Sequence, residues 1–170
     1  DTFWKAEKER LKNQEEFSEG NQEKQQEICA LIEDICHLLP EKDLREVSFS
    51  VLEKQAEWAG KYKGRYPKHI FDNYLLQPRI GLERLTCWEE ELKAIVPEKD
   101  MRAFQTDPEK VEQYVESRVK TVESQCYKGL LNTPHACLKS GYGTVGAKEI
   151  LKTALLRCAG IPARLSPIDG

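Results

Sequence analysis

The sequence predicts a mainly α-helical chain, and three observations carry that prediction. Apolar residues recur at three- and four-residue spacing in successive runs, most of those runs stop at Pro or Gly, and no convincing alternating strand occurs before residues 163–165. A face that repeats every 3.6 residues buries one side of a helix, whereas a half-buried strand needs strict alternation.

Between Lys12 and Glu27 the only apolar side chain is Phe17, with Gly20 and Asn21 in the middle, so this stretch reads as a solvated helix or linker. Ile28, Leu31, Ile32, Ile35, Leu38 and Leu39 then form a helical stripe that Pro40 stops. Ser50 and Glu53 have capping-box spacing and open a helix through Leu52, Ala56 and Ala59 to the breakers Gly60 and Gly64. Pro67 starts a short helix with Ile70, Phe71, Tyr74 and Leu75 on one face, closed by Gln77 and Pro78. Thr86 and Glu89 repeat the capping-box spacing before a helix that ends at Val96 and Pro97. Asp107 and Pro108 pair an N-cap with a first-turn proline, and Val111, Tyr114, Val115, Val119 and Val122 mark the next buried stripe. Residues 129–143 read as loop. A final helix over 146–159 turns Ile150, Leu151, Ala154, Leu155 and Cys158 inward. Gly160 supplies its left-handed end, Ile161 folds back on the last turn, and Pro162 forbids continuation.

Composition narrows the function classes. The 170 residues carry 26 Lys+Arg against 29 Asp+Glu, a net charge of −3 that gives no reason to expect nucleic acid as a partner. Residues 1–34 are net −5 and residues 137–170 net +3. Apolar residues at 39% are enough for the core of one domain, and no run approaches the ~18 residues of a membrane span. The N-terminus lacks the basic-then-apolar layout of a signal peptide. A start at Asp1 reads as a processed chain, and the final residues read as a chain that continues. The organisation expected is a polar N-terminal segment with the first amphipathic helix over 1–40, a helical region over 41–105 and a last region over 106–170.

Cys29, Cys36, Cys87, Cys126, Cys137 and Cys158 contain no C-x-x-C pair, which disfavours a zinc ribbon or a thioredoxin-like site. Cys29 and Cys36 lie about 10 Å apart in rise on one helix, too far for a disulfide. Most of the six are expected to be free, buried thiols. His135 and Cys137 form an isolated H-x-C with no further ligand pattern. His37 closes the first helix as a capping side chain, and His69 is a surface residue of the helix after Pro67. Trp4, Trp58 and Trp88 form no stacking platform with basic residues and are expected in the core or at an interface. No cofactor or metal is implied.

The most specific segment is residues 141–164, in which Gly141, Gly143 and Gly146 precede a leucine-rich stretch and then Arg157, Gly160, Ile161, Pro162, Ala163 and Arg164. It resembles the core motif of the bacterial transglutaminase-like superfamily, whose members share a papain-like α+β fold with a Cys, His, Asp triad. In that family a Gly-rich loop delivers the nucleophilic cysteine to the N-terminus of a buried helix, where free N–H groups and the helix dipole lower a thiol's pKa. The upstream residues Tyr66, Pro67, Phe71, Tyr74, Pro78 and Arg79, with Glu83, Arg84, Leu85 and Trp88, look like the helical lead-in of large members.

The resemblance implies that residues 106–170 are the helical N-terminal part of such a core, stopping before its β-sheet. It also places Val145 at the nucleophile position, with Thr144 before it and Gly146 and Ala147 after it. Valine has no nucleophile, no cysteine occurs between Leu138 and Arg157, and the family's His and Asp lie downstream of Arg164. Gly143, Arg157, Gly160, Pro162 and Arg164 are then structural residues of the motif. The function expected is a non-catalytic module that binds a peptide, a glycan or a partner domain, with further domains of the same polypeptide downstream. The alternatives are an acyl-transfer or cysteine-peptidase-like enzyme completed by residues beyond 170, and a helical protein-interaction module. Family members with such lead-ins are often exported, which leans toward the cell envelope or a secreted location, while the free thiols lean the other way.

Overall fold

A computed structural model describes residues 19–123 and 132–166. Trp4, Phe17, Cys126 and residues 129–131 of the expected loop lie outside the described residues. The described chain is mainly helical: α1 Glu19–Leu38, α2 Glu41–Glu46, α3 Phe49–Gly60, α4 Lys68–Phe71 running into a π-helical turn Asp72–Leu76, α5 Trp88–Ile95, α6 Glu98–Thr106, α7 Lys110–Arg118, β1 Lys120–Thr121, α8 Pro134–Ser140, β2 Tyr142–Gly143 and α9 Val145–Cys158. Among the described residues no helix is long and apolar enough to cross a membrane.

The predicted stripes form the core. Ile28, Leu31, Ile32 and Ile35 of α1 pack with Leu52, Ala56 and Ala59 of α3, and the same cluster continues through Trp88, Leu92, Val111 and Val115 to Leu151, Ala154 and Leu155 of α9. Helix α1 begins nine residues ahead of its apolar stripe, so Gly20 and Asn21 are helical. Its first two turns are polar and are carried by the packed part that follows. Leu75 and Leu76 are both fully buried, whereas Tyr74, expected on the buried face, is only half-buried. The π turn inserts one extra residue per turn and so shifts the register that the sequence pattern assumed.

Several local expectations are corrected. The N-cap of α3 is Ser48, not Ser50, and that of α5 is Cys87, not Thr86; neither cap makes a side-chain hydrogen bond to its helix. The Thr86 hydroxyl instead donates to Glu91 Oε2 at 3.0 Å, and Glu89 lies in the core. Helix α7 stops at Arg118, so Val119 is buried beside the sheet and Val122 lies beyond β1. Asp107 does accept from Glu109 N at 3.2 Å, but it caps the turn that leads into α7. Helices α2 and α6 carry too few apolar residues for a stripe to show; each follows a proline, Pro40 and Pro97, that fixes the entry φ.

The segment read as loop contains α8 and β2. Thr133 caps α8 by accepting from Ala136 N at 3.3 Å, Pro134 occupies its first turn, and Gly141 closes it at φ 73°. Residues 163–165 form no strand: Ala163 N donates to Tyr74 O at 3.2 Å, which holds the segment extended against the π turn. The strands are instead β1 and β2, a parallel pair in which Lys120 is opposite Tyr142 and Thr121 opposite Gly143. Nothing in two-residue strands leaves a periodicity to read.

Cys36, Cys87, Cys137 and Cys158 are free thiols, Cys137 and Cys158 buried and Cys36 and Cys87 half-buried; Cys29 is half-buried. Burial of the described thiols is therefore less complete than expected: Cys29 and Cys36 flank the buried stripe of α1, and Cys87 precedes the first turn of α5.

Candidate functional site

Helix α9 carries the positions singled out by the sequence, and its surroundings fix where it starts. Lys120 N donates to Gly141 O at 2.8 Å and Val122 N to Gly143 O at 3.0 Å, so the short sheet clamps the backbone that enters the helix. At Gly143 a Cβ would fall 2.6 Å from Cys137 Sγ, closer than any side chain tolerates, so only glycine lets this strand lie on α8. On the opposite side, Lys148 Nζ donates to Glu116 Oε2 at 2.6 Å and to Thr121 Oγ1 at 2.9 Å. Lys152 Nζ reaches Glu112 and Glu149, both at 2.8 Å, and Glu116 at 3.2 Å. These ion pairs tie α9 to α7, and the carboxylates around Lys152 push its ammonium pKa up against the effect of burial.

Within that frame Thr144 is the N-cap and its hydroxyl accepts from Ala147 N at 3.1 Å. Val145 follows as the first helical residue and is 64% exposed, with exposed Gly146 beside it and Ala147 buried behind it. Among the described residues no His, Asp or Glu side chain hydrogen-bonds to the Thr144 hydroxyl. Cys137 lies beneath this turn, fully buried, and burial pushes its thiol up to about 11. Cys158, at the far end of α9, is pushed up as well by complete burial. An activated thiol needs the opposite shift.

Arg157 is 2% exposed and donates from Nε to Ala163 O at 2.9 Å and from Nη1 to Gln77 O at 2.7 Å, tying the C-terminal segment to the chain after the π turn. Gly160 adopts φ 81°, Gly160 N donates to Arg157 O and Ile161 N to Leu156 O, which is the fold-back expected from the sequence. A Cβ at Gly160 would lie 2.3 Å from Tyr62 Cε1. Pro162 continues the extended exit, and exposed Arg164 places its guanidinium 5.6 Å from the Tyr74 ring centre. Val145 and Arg157 are thus at opposite ends of a helix about 20 Å long. His37 is exposed in the last turn of α1, and His69 is exposed in α4, its carbonyl accepting from Asn73 Nδ2. His135 is half-buried in the first turn of α8, and among the described residues no group of three or more His, Cys, Asp or Glu side chains converges as a metal site would require.

A second locality was not legible in the sequence. A cleft of about 770 Å³ opens between α1, α3 and α5, and Glu89 and Trp58 form part of its wall. Glu89 is 3% exposed and neither carboxylate oxygen has a hydrogen-bond partner from another residue; Trp58 is 4% exposed and its Nε1–H is equally unpaired. The Trp58 ring is fixed by Trp88 and Tyr62, each centred 5.5 Å away, and Lys93 Nζ lies 5.8 Å from it. Burial pushes the Glu89 carboxyl up to about 7, against the pull of its own peptide N–H and of Lys93. The one available signal was positional: Glu89 is next to Trp88 and three residues before Leu92, on the edge of the face that α5 buries. Comparison of the chain with protein-family models, with curated proteins and with solved structures finds no match in any of the three.

Proposed function

We propose that this chain is a non-catalytic transglutaminase-like module, in which the glycine loop and the helix it feeds are kept as a scaffold for binding a peptide, a glycan or a partner domain. The observation that carries the reading is the first turn of α9. The residue at the expected nucleophile position, Val145, faces solvent with an inert side chain, and the neighbouring Thr144 hydroxyl is engaged in capping the helix. The layout that would activate a thiol is therefore retained while the thiol is missing. Nucleophilic catalysis also requires a positioned base and a group that orients it.

The test pairs chemical reactivity with turnover. In Val145→Cys, iodoacetamide is expected to alkylate residue 145, detected by mass spectrometry, because the position is open and the helix N-terminus favours the thiolate. Neither wild type nor variant is expected to incorporate amines or cleave peptides, since among the described residues no His, Asp or Glu hydrogen-bonds to the Thr144 hydroxyl and general acid–base assistance is worth about 10²- to 10⁴-fold. Wild-type turnover that survives replacement of Cys137 and Cys158 overturns the reading and makes Thr144 the first residue to examine.

A further inference from the structure

Helix α5 spaces Glu89 and Lys93 four residues apart with the glutamate on the N-terminal side, the order and spacing at which a helical ion pair forms best. The pair is not made. Both Glu89 carboxylate oxygens are buried without a partner from another residue. Lys93 is exposed, has no ion pair among the described residues and lies over the Trp58 ring, its Nζ 5.8 Å from the centre. The two are near enough for each to feel the other's charge, and both line the same cleft.

Where the Glu89 side chain belongs depends on its charge. The neutral acid is tolerated in the wall, because burial penalises it far less than the anion. An ionised carboxylate without a partner is costly there. Turning the side chain about its own torsions brings it toward Lys93 while Trp88 and Leu92, both fully buried, keep α5 anchored. The surrounding charges leave that lysine as its partner. Of the groups that line the cleft, α1 supplies Lys24 and Glu27, and α3 with the turn after it supplies Lys54, Glu57, Lys61 and Lys63. On α5 itself Glu90 is paired with Lys54, and Glu91 accepts from Thr86. Helix α9 presents the buried Cys158, and α8, which also packs on α5, carries His135, Cys137 and Lys139. Lys54 is therefore engaged, whereas Lys93 is repelled by Lys61 and gains from an incoming carboxylate.

We propose that Glu89 is a proton-controlled latch on the cleft: as the neutral acid it closes the wall, and as the carboxylate it turns out to pair with Lys93, drawing that lysine off the Trp58 ring. The shape and the charge of the cleft then change together across neutral pH. Val145 and Thr144 take no part, so the latch stands apart from the reading of the α9 turn.

The experiment uses the whole chain labelled with ¹³C and ¹⁵N. From about pH 5 to 8.5 it follows the Glu89 carboxyl carbon, the Trp58 indole N–H, assigned by its loss in Trp58→Phe, and the nuclear Overhauser contact between Lys93 and the Trp58 ring. The contact is expected at pH 5 and lost by pH 8.5, with the carboxyl and indole signals changing at one midpoint no higher than about 7. In Glu89→Gln, its fold checked by circular dichroism, the contact should persist at every pH. In Lys93→Met the carboxyl should still titrate, at higher pH for want of its partner, while the indole signal no longer follows it. Any of four results overturns the proposal: the contact is absent at pH 5, it survives at pH 8.5 with Glu89 ionised, it is lost equally in Glu89→Gln, or the indole of Lys93→Met follows the carboxyl as in wild type. Neither the turnover assay nor alkylation at residue 145 bears on these outcomes.

Discussion

Replacing Glu89 by glutamine should stabilise the protein, and by an amount that depends on pH in a defined direction. An ordinary glutamate titrates near 4.5, and burial in the α5 wall pushes the folded-state value to about 7. An acid whose pKa is raised by folding binds its proton more tightly in the folded state. Below about pH 4.5 both states hold the proton and the group contributes nothing. As pH rises from there to about 7, the unfolded chain has lost a proton that the folded chain keeps, so stability falls; above 7 the full penalty is present. At 1.36 kcal/mol per pKa unit, the difference of about 2.5 units amounts to ~3 kcal/mol. Lys93, Glu90, Glu91 and Cys158 also face this carboxyl, but they are present in both proteins and largely cancel in the comparison. Urea unfolding of wild type and Glu89→Gln, measured at about pH 4.5, 6 and 8, should show a gap in stability that opens by ~3 kcal/mol toward alkaline pH. In melting temperature that is a relative gain of about 6–12 °C for a chain of this size. Parallel pH profiles, or a gap that opens toward acid, would refute the assignment of Glu89 as an unpaired buried carboxyl.

Two further outcomes test the supports of α9. Gly160→Ala should destabilise by at least ~2 kcal/mol, since φ 81° is strained for alanine and the new methyl meets Tyr62, whereas Gly64→Ala, at φ 82° with open space around it, should cost only ~1 kcal/mol; urea midpoints decide. Arg157→Met should cost ~3–5 kcal/mol by leaving the carbonyls of Ala163 and Gln77 without their donor, and Arg157→Lys should recover less than half of that because lysine lacks the guanidinium fork.

The sequence by itself determined the helical character and the identity of most buried stripes, because burial against any neighbour demands a periodicity of 3.6 whatever that neighbour is. It also determined the end of α9, where Gly160 and Pro162 act through φ restrictions that are local to the chain. The start of that helix was less legible: it was expected at 146, and the structure begins it at Val145 with Thr144 as its cap and Val145 exposed. What the tertiary structure decided is whatever depends on two distant segments meeting. The capping-box spacing at Thr86 and Glu89 carried a plausible local role, but the packing of α5 against α3 and α9 took the glutamate into the core instead. The parallel pair of β1 and β2 joins residues more than twenty positions apart and left no pattern in either strand. Glu89 and Trp58 are each buried with polar atoms that no other residue pairs, which only the folded chain reveals. A polar atom is costly or useful according to whether a partner lies within hydrogen-bond reach, and that is a property of three-dimensional neighbours that no spacing along the chain encodes.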